Sequence, residues 1–323
     1  IFSLCMPFIF FLVLKNKFDE IDPDKLFLFS QILFILPSFR SGAIWANSQI
    51  TSIIFLIISI MFFVKWEKKN TKNFTIDIFF QILFLSLAVY SRQLYALLFV
   101  YILFIYFKKL SLIEFFKTIV ISGIFALPGL VLVVFFPNTL STTFDFKFQN
   151  SLLVNLSIIS FYILPFLIVS DYKKLTFFLL NKKSYIILFL FLVVVTYSAF
   201  YFSYNPYLGG GFFIKLSLII FDNLYFFYLT SLLGMTLVYI SFLEERNSLL
   251  LFSLLIFGFS SYQIFQKYFE PMLIILVFTI ILTNSSTMIL KSYKKILIFK
   301  SYFFLYLLSA IVNDIFRITK NLS

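Results

Sequence analysis

A succession of long apolar runs broken by short polar loops constrains this chain more than any other feature. The runs fall near residues 1–14, 26–39, 49–65, 77–90, 94–107, 113–136, 152–170, 184–203, 212–243, 248–260, 271–284 and 295–313. A hydrocarbon layer about 30 Å thick is crossed by about 20 helical residues. Inside it only helices or closed barrels satisfy the backbone. The runs lack the period-two alternation of barrel strands, so the expected fold is all-α: a polytopic membrane protein of about eleven to twelve transmembrane helices, forming one domain over residues 1–323. The run 212–243 is long for one pass and contains Asp222-Asn223; it reads as a short interfacial helix followed by one span.

Composition narrows the chemistry. With 62% hydrophobic and 12% charged residues, the chain lies outside the soluble globular range. Its 51 phenylalanines reflect AT-rich coding and carry no functional reading. The net charge of +12 does not point to nucleic acid, because the lysines sit in short loops between apolar runs, as the positive-inside rule requires. Cys5 is the single cysteine and there is no histidine, which excludes disulfide frameworks, Cys/His zinc sites and His-based triads. No cofactor is expected; carboxylates leave room only for a divalent cation. Ile1 already lies inside an apolar run, so the chain reads as a fragment. Residues 1–14 do not read as a signal peptide, since Lys15-Asn16-Lys17 occupies the wrong flank.

Orientation follows from where Lys and Arg gather. Lys15 to Lys17, Lys65 to Lys69, Lys108-Lys109, Lys173-Lys174 with Lys182-Lys183, and Glu244 to Arg246 alternate with Lys-poor loops, and this basic set is cytoplasmic. Residues 40–48, 91–93, 138–151, 204–211 and 261–270 then share the opposite face. Several runs leading to them have only 13 or 14 residues. Such short paired helices would turn early, within a recess open to the external side, where polar groups are tolerated because they line a cavity. Strict alternation also places 313–317 outside, against the preference of Arg317 and Lys320.

Four polar stretches occupy that face. Residues 37–49 carry Arg40, Trp45, Asn47 and Gln49, a set that also suits an ordinary interfacial turn. Residues 90–95 place Arg92 beside Gln93 amid apolar sequence, and a guanidinium next to a carboxamide presents a fork of donors suited to a phosphate or a sugar hydroxyl. Residues 262–271 carry Gln266, Lys267, Tyr268, Glu270 and Pro271; Lys267 and Glu270 have the spacing of a pair on one helical turn, or else Lys267 is a second phosphate contact and Tyr268 a stacking surface. Residues 204–211, with Pro206 and Gly209 to Gly211, form a connector or a gate, and lack the pattern of a nucleotide P-loop.

These stretches resemble motifs of the GT-C superfamily of membrane glycosyltransferases, nearest to the dolichyl-phosphate-glucose α-1,2-glucosyltransferases. That family has a helix with Arg-Gln-Thr-Asn at its outer turn, where this chain has Arg92-Gln93-Leu94-Tyr95. Its preceding span begins Tyr-Tyr-Thr-Asp after a Pro-containing run, where this chain has Pro37 and then Ile44 to Ser48. Gln266 to Pro271 is similar to the Arg-Tyr-x-x-Pro turn between two late helices. The resemblance covers residues 26–107 and 255–285. It implies a GT-C-like external cavity and sugar transfer from a polyprenyl-phosphate donor to a glycan or lipid-linked acceptor. Arg92 and Lys267 would contact the donor phosphate, Gln93, Asn47, Gln266 and Tyr268 would shape the sugar pocket, and Arg40 would add a cation on the same face. The catalytic acid of such enzymes is expected in the first external loop, which falls before Ile1; Glu270 and Asp145 are the weaker candidates within the chain. The setting implied is a bacterial inner membrane, with the endoplasmic reticulum membrane as the alternative. A multi-pass transporter or flippase of lipid-linked glycans is the competing function. It would share the helices and buried cations but usually shows two related halves, and none is seen.

Overall fold

A computed structural model describes residues 2–44, 48–135, 147–206, 209–259, 263–281 and 283–322. Every regular element among them is helical. In chain order these are α1 (Phe2–Lys17), α2 (Pro23–Ser30) with a 3-10 turn to Ile35, α3 (Pro37–Ile44), α4 (Ser48–Lys69), α5 (Ile76–Ser91), α6 (Ala96–Lys109) and α7 (Leu112–Phe135). After the described gap come α8 (Phe148–Leu180), α9 (Lys182–Phe200), α10 (Gly211–Phe221), α11 (Tyr225–Glu244) and α12 (Ser248–Gly258). The chain closes with α13 (Met272–Leu276), which runs into a π turn to Ile281, then α14 (Thr283–Leu290) and α15 (Tyr293–Leu322).

Local chemistry sets several boundaries. Asp22 caps α2 by accepting from the Asp24 N–H, with Pro23 as the first helical residue, the position where proline's missing donor costs nothing. The long run 212–243 breaks where expected, at Asp222, which closes α10 in the left-handed conformation (φ 51°). Ser217 Oγ then donates to the Asn223 carbonyl and accepts from the Phe227 N–H, fastening α10 to α11 as a hairpin.

The protein is an integral membrane protein by the length and apolar character of its helices. Among the described residues five helices can cross a bilayer alone: Ser48–Lys69, Leu112–Val131, Phe148–Ser170, Tyr225–Glu244 and Tyr293–Asn313. The bent pair Met272–Ile281 and Asn284–Leu290 makes a sixth if taken as one broken span. The remaining apolar runs also form helices, several of them, as their length implied, too short for a full crossing. α5 has 16 residues and α12 has 11, which reach about 24 Å and 16 Å at 1.5 Å per residue. They are short because they turn inside the bundle.

The tightest pairings join α4 with α5, α8 with α11 and α1 with α4. Gly234 permits the second of these, since a Cβ there would collide with the Leu156 carbonyl of α8. At one end of the bundle a layer of ion pairs gathers the basic loops. Glu67 holds Lys17 (2.9 Å) and Lys109 (3.0 Å), Lys68 meets Asp19, Lys69 meets Asp77, and Lys108 donates to Asn247. Glu244 accepts from Ser285, and Lys295 donates to the Ser170 carbonyl at the same end. Exposed pairs of this kind add little stability, but they show that the basic loops assigned to the cytoplasmic side share one face. In a Cys5→Ala background, single cysteines replacing Lys72 and Gln93 should therefore react with an impermeant maleimide from opposite sides of the membrane; labelling of both from one side would break this orientation.

Candidate functional site

At the other end, the polar turn 263–271 between α12 and α13 is held from all sides. The Glu270 carboxylate is buried, 1% exposed. It accepts from the Ser38 N–H on α3 (2.9 Å) and from the Tyr162 hydroxyl on α8 (2.9 Å). Gln49 at the start of α4 donates its amide to the carbonyls of Lys267 and Glu270. Gln266 accepts from the Phe212 N–H (2.6 Å) and donates to the Tyr162 hydroxyl (3.4 Å). Tyr204 accepts from the Ile264 N–H and donates to the Ile264 carbonyl, and the Gly210 N–H donates to that same carbonyl. Gly209 (φ +147°) is required there, because a side chain would strike Ile264 and the Tyr204 hydroxyl. The run 204–211 thus contains a packed connector pinned to the turn.

The turn lies deep. Its anchor Tyr162 is about 21 Å along α8 from Phe148 and about 12 Å from Ser170, so the turn is level with the interior of that span. The α5–α6 turn is recessed as well. The Tyr90 hydroxyl donates to the Phe125 carbonyl, and α7 continues from there to Phe135, about 15 Å further.

These two recessed turns meet. The Arg92 guanidinium lies 5.3 Å from the centre of the Tyr268 ring, and Lys267 Nζ lies 5.9 Å from that same centre. Lys267 also stands 4.7 Å over the Phe265 ring, which packs edge-on to Tyr268. Neither cation has a described carboxylate within 4 Å. The alternative pairing of Lys267 with Glu270 is not formed: the carboxylate is turned into the packing, whereas Lys267 is exposed. A face of Tyr or Phe attracts a cation by about 0.5–2 kcal/mol, but two cations on one ring repel each other. What the arrangement offers is a charge excess that an anion would offset.

Beside it lies a recess of about 380 Å³ between α10 and α15, lined by Lys215, Gln266, Lys267, Tyr306 and Asn313 among others. Asn313 of α15 is the outermost of these lining residues along its helix.

The sequence candidates fall into three groups. Arg92, Lys267 and Tyr268 come together, and Gln93 follows Arg92, exposed in the 3-10 turn. Gln266 lines the recess while its carboxamide fastens the turn to α8 and α10. Glu270 is likewise a positioning residue in this geometry, and is not among the side chains lining the recess. Arg40 is exposed on α3, two residues beyond Ser38, and is not part of the cluster on Tyr268. Asn47 and Asp145 lie outside the described residues. No group of three or more potential metal ligands occurs among the described residues.

Sequence reasoning placed Gln49 in a polar stretch without assigning it a role, and missed Tyr162, Tyr204 and Lys215. Lys215 left a signal, a lone cation within an apolar run; a tyrosine inside such a run leaves none. If Glu270 anchors the turn, Glu270→Ala strands the Ser38 N–H and the Tyr162 hydroxyl at about 1–3 kcal/mol each. Its melting temperature in detergent should fall by several degrees, with Glu270→Gln closer to wild type; an alanine variant that melts like wild type would remove the anchor role. No protein-family model, curated protein or solved structure matches this chain.

Proposed function

We propose that this chain is a membrane glycosyltransferase of the GT-C type. It takes a sugar from a polyprenyl-phosphate donor and passes it to a lipid-linked or surface glycan acceptor on the non-cytoplasmic face of a bacterial inner membrane. The observation that carries the reading is the convergence of Arg92 and Lys267 on Tyr268, two cations from turns far apart in sequence, recessed within a membrane bundle. An ionisable side chain at membrane depth costs roughly 2.5–3.5 kcal/mol on insertion scales and marks a functional site by default.

The chemistry asked of such a site is charge stabilisation. As the glycosidic bond breaks, negative charge grows on the departing lipid phosphate, and fixed cations in a water-poor recess stabilise that charge. Arg92 can offer two parallel N–H donors to the phosphate oxygens, and Lys267 a point charge on a flexible stem. Tyr268 and Gln93 would border the sugar. The acceptor hydroxyl would attack the anomeric carbon from the side opposite the phosphate and give its proton to a carboxylate base. Glu270, sealed in the packing, is assigned the task of holding Lys267 and Tyr268 in place.

The test is sugar transfer by the detergent-solubilised full-length protein from a panel of radiolabelled polyprenyl-phosphate sugars. Arg92→Ala and Lys267→Ala should each lower the rate by about 100-fold, with Arg92→Lys recovering only part because the planar fork is lost. If no donor is consumed, or if the alanine variants keep pace with wild type, the cations are interfacial anchors and transport of a lipid-linked glycan becomes the better reading.

A further inference from the structure

Lys215 belongs to neither the ion-pair layer nor the cluster on Tyr268. It lies on α10, exposed, and makes no salt bridge to a described carboxylate. Its helix begins at depth: Gly211 packs against Ile158 of α8, within the span Phe148–Ser170. Phe212, Lys215, Leu216 and Ile219 share one stripe of α10 by their three- and four-residue spacing, and all four line the recess. Tyr306, Ser309, Ala310 and Asn313 form the matching stripe of α15. The two stripes meet at their deep end, where the Phe212 and Tyr306 rings pack edge-on at 5.6 Å.

The recess is therefore amphiphilic. Lys215 and Lys267 provide two positive charges, and no acidic side chain lines it among the described residues. Most of the remaining wall is apolar. Outside the recess both helices turn large apolar side chains outward: Ile220 and Phe221 on α10, Leu308, Ile311 and Val312 on α15. The opening thus lies between two helices that themselves face lipid. A volume of about 380 Å³ falls in the range of small-molecule sites.

We propose that the α10–α15 recess binds an anionic lipid through its phosphate, with Lys215 and Lys267 as the cationic contacts and the chain leaving over Leu216, Ile219 and Ala310 into the bilayer. Charge complementarity selects the head, and the apolar trough selects an amphiphile over a free anion. Lys215 serves this recess alone, since Arg92 and Tyr268 do not line it. The inference does not rest on sugar transfer.

The full chain in neutral detergent would be titrated with hexadecyl phosphate and, separately, with inorganic phosphate, and occupancy read by native mass spectrometry. Wild type should bind the alkyl phosphate. Lys215→Gln should weaken that binding by about tenfold, the loss of one charged hydrogen bond, with Lys215→Arg restoring it. Ile219→Trp, which fills the trough, should also weaken it, and Arg92→Ala should leave it in place. Because Arg92→Ala is the variant expected to abolish transfer, failure of the transfer reading and failure of this one are separable. Unchanged binding in Lys215→Gln would overturn the proposal. So would loss in Arg92→Ala alone, or displacement of the alkyl phosphate by equal concentrations of inorganic phosphate.

Discussion

The buried Glu270 carboxylate is the interaction on which the rest of the recessed face depends. A carboxylate taken out of water without partners is among the costliest groups a protein can hold. Here Ser38 and Tyr162 supply the partners, from α3 and α8. One side chain thereby joins an early helix and a central helix to a single turn. Gln49 and Gln266 complete the lattice by engaging the same turn's backbone and α10. With the turn held this way, the direction in which Lys267 and Tyr268 point is set by residues that are not themselves in the cluster.

Depth is the second consequence. A turn that interrupts a membrane bundle exposes backbone groups that lipid cannot satisfy. Turn 263–271 resolves this by bonding its backbone to the side chains of Gln49 and Tyr204 and to the backbone of Gly210. The short helices α5, α6 and α12 follow from that arrangement, since they need reach only as far as the recess. α15 extends past it and, with α10, lines it. Cations at such depth are tolerated where they face a cavity instead of lipid; Lys267 and Lys215 line the recess, and Arg92 meets Lys267 at the Tyr268 ring beside it.

The opposite end follows a different logic. Lys17, Lys68, Lys69, Lys109 and Lys117 there are paired with Glu67, Asp19, Asp77 and Glu114, while Lys15, Lys65 and Lys72 have no described carboxylate within 4 Å. That surplus of positive charge is what the positive-inside rule expects of a cytoplasmic end. Arg92, Lys267 and Lys215 differ from it in place: they stand at the other end, in or beside the recess, where the rule supplies no reason for them.

The sequence by itself determined the helical membrane character, the bounds of most helices and the gathering of basic residues in alternate loops, but not the division of run 26–39 into α2 and α3 or the separate helix α14. Apolar run length, Lys placement and the Asp222-Asn223 break are local signals that survive in one dimension. It also singled out Arg92, Lys267 and Tyr268, because charge amid apolar residues is conspicuous. Only the tertiary structure decided that Arg92 and Lys267 share a ring, that Glu270 and Gln266 are fastened into the packing, and that Tyr162, Tyr204 and Gln49 are the fasteners. Hydrogen bonds between residues 100 or 200 positions apart depend on which helices lie side by side, and nothing in a run of leucine, isoleucine and phenylalanine encodes that choice. Where a short helix stops is likewise set by the turn it packs against, and that turn is held by residues from elsewhere in the chain.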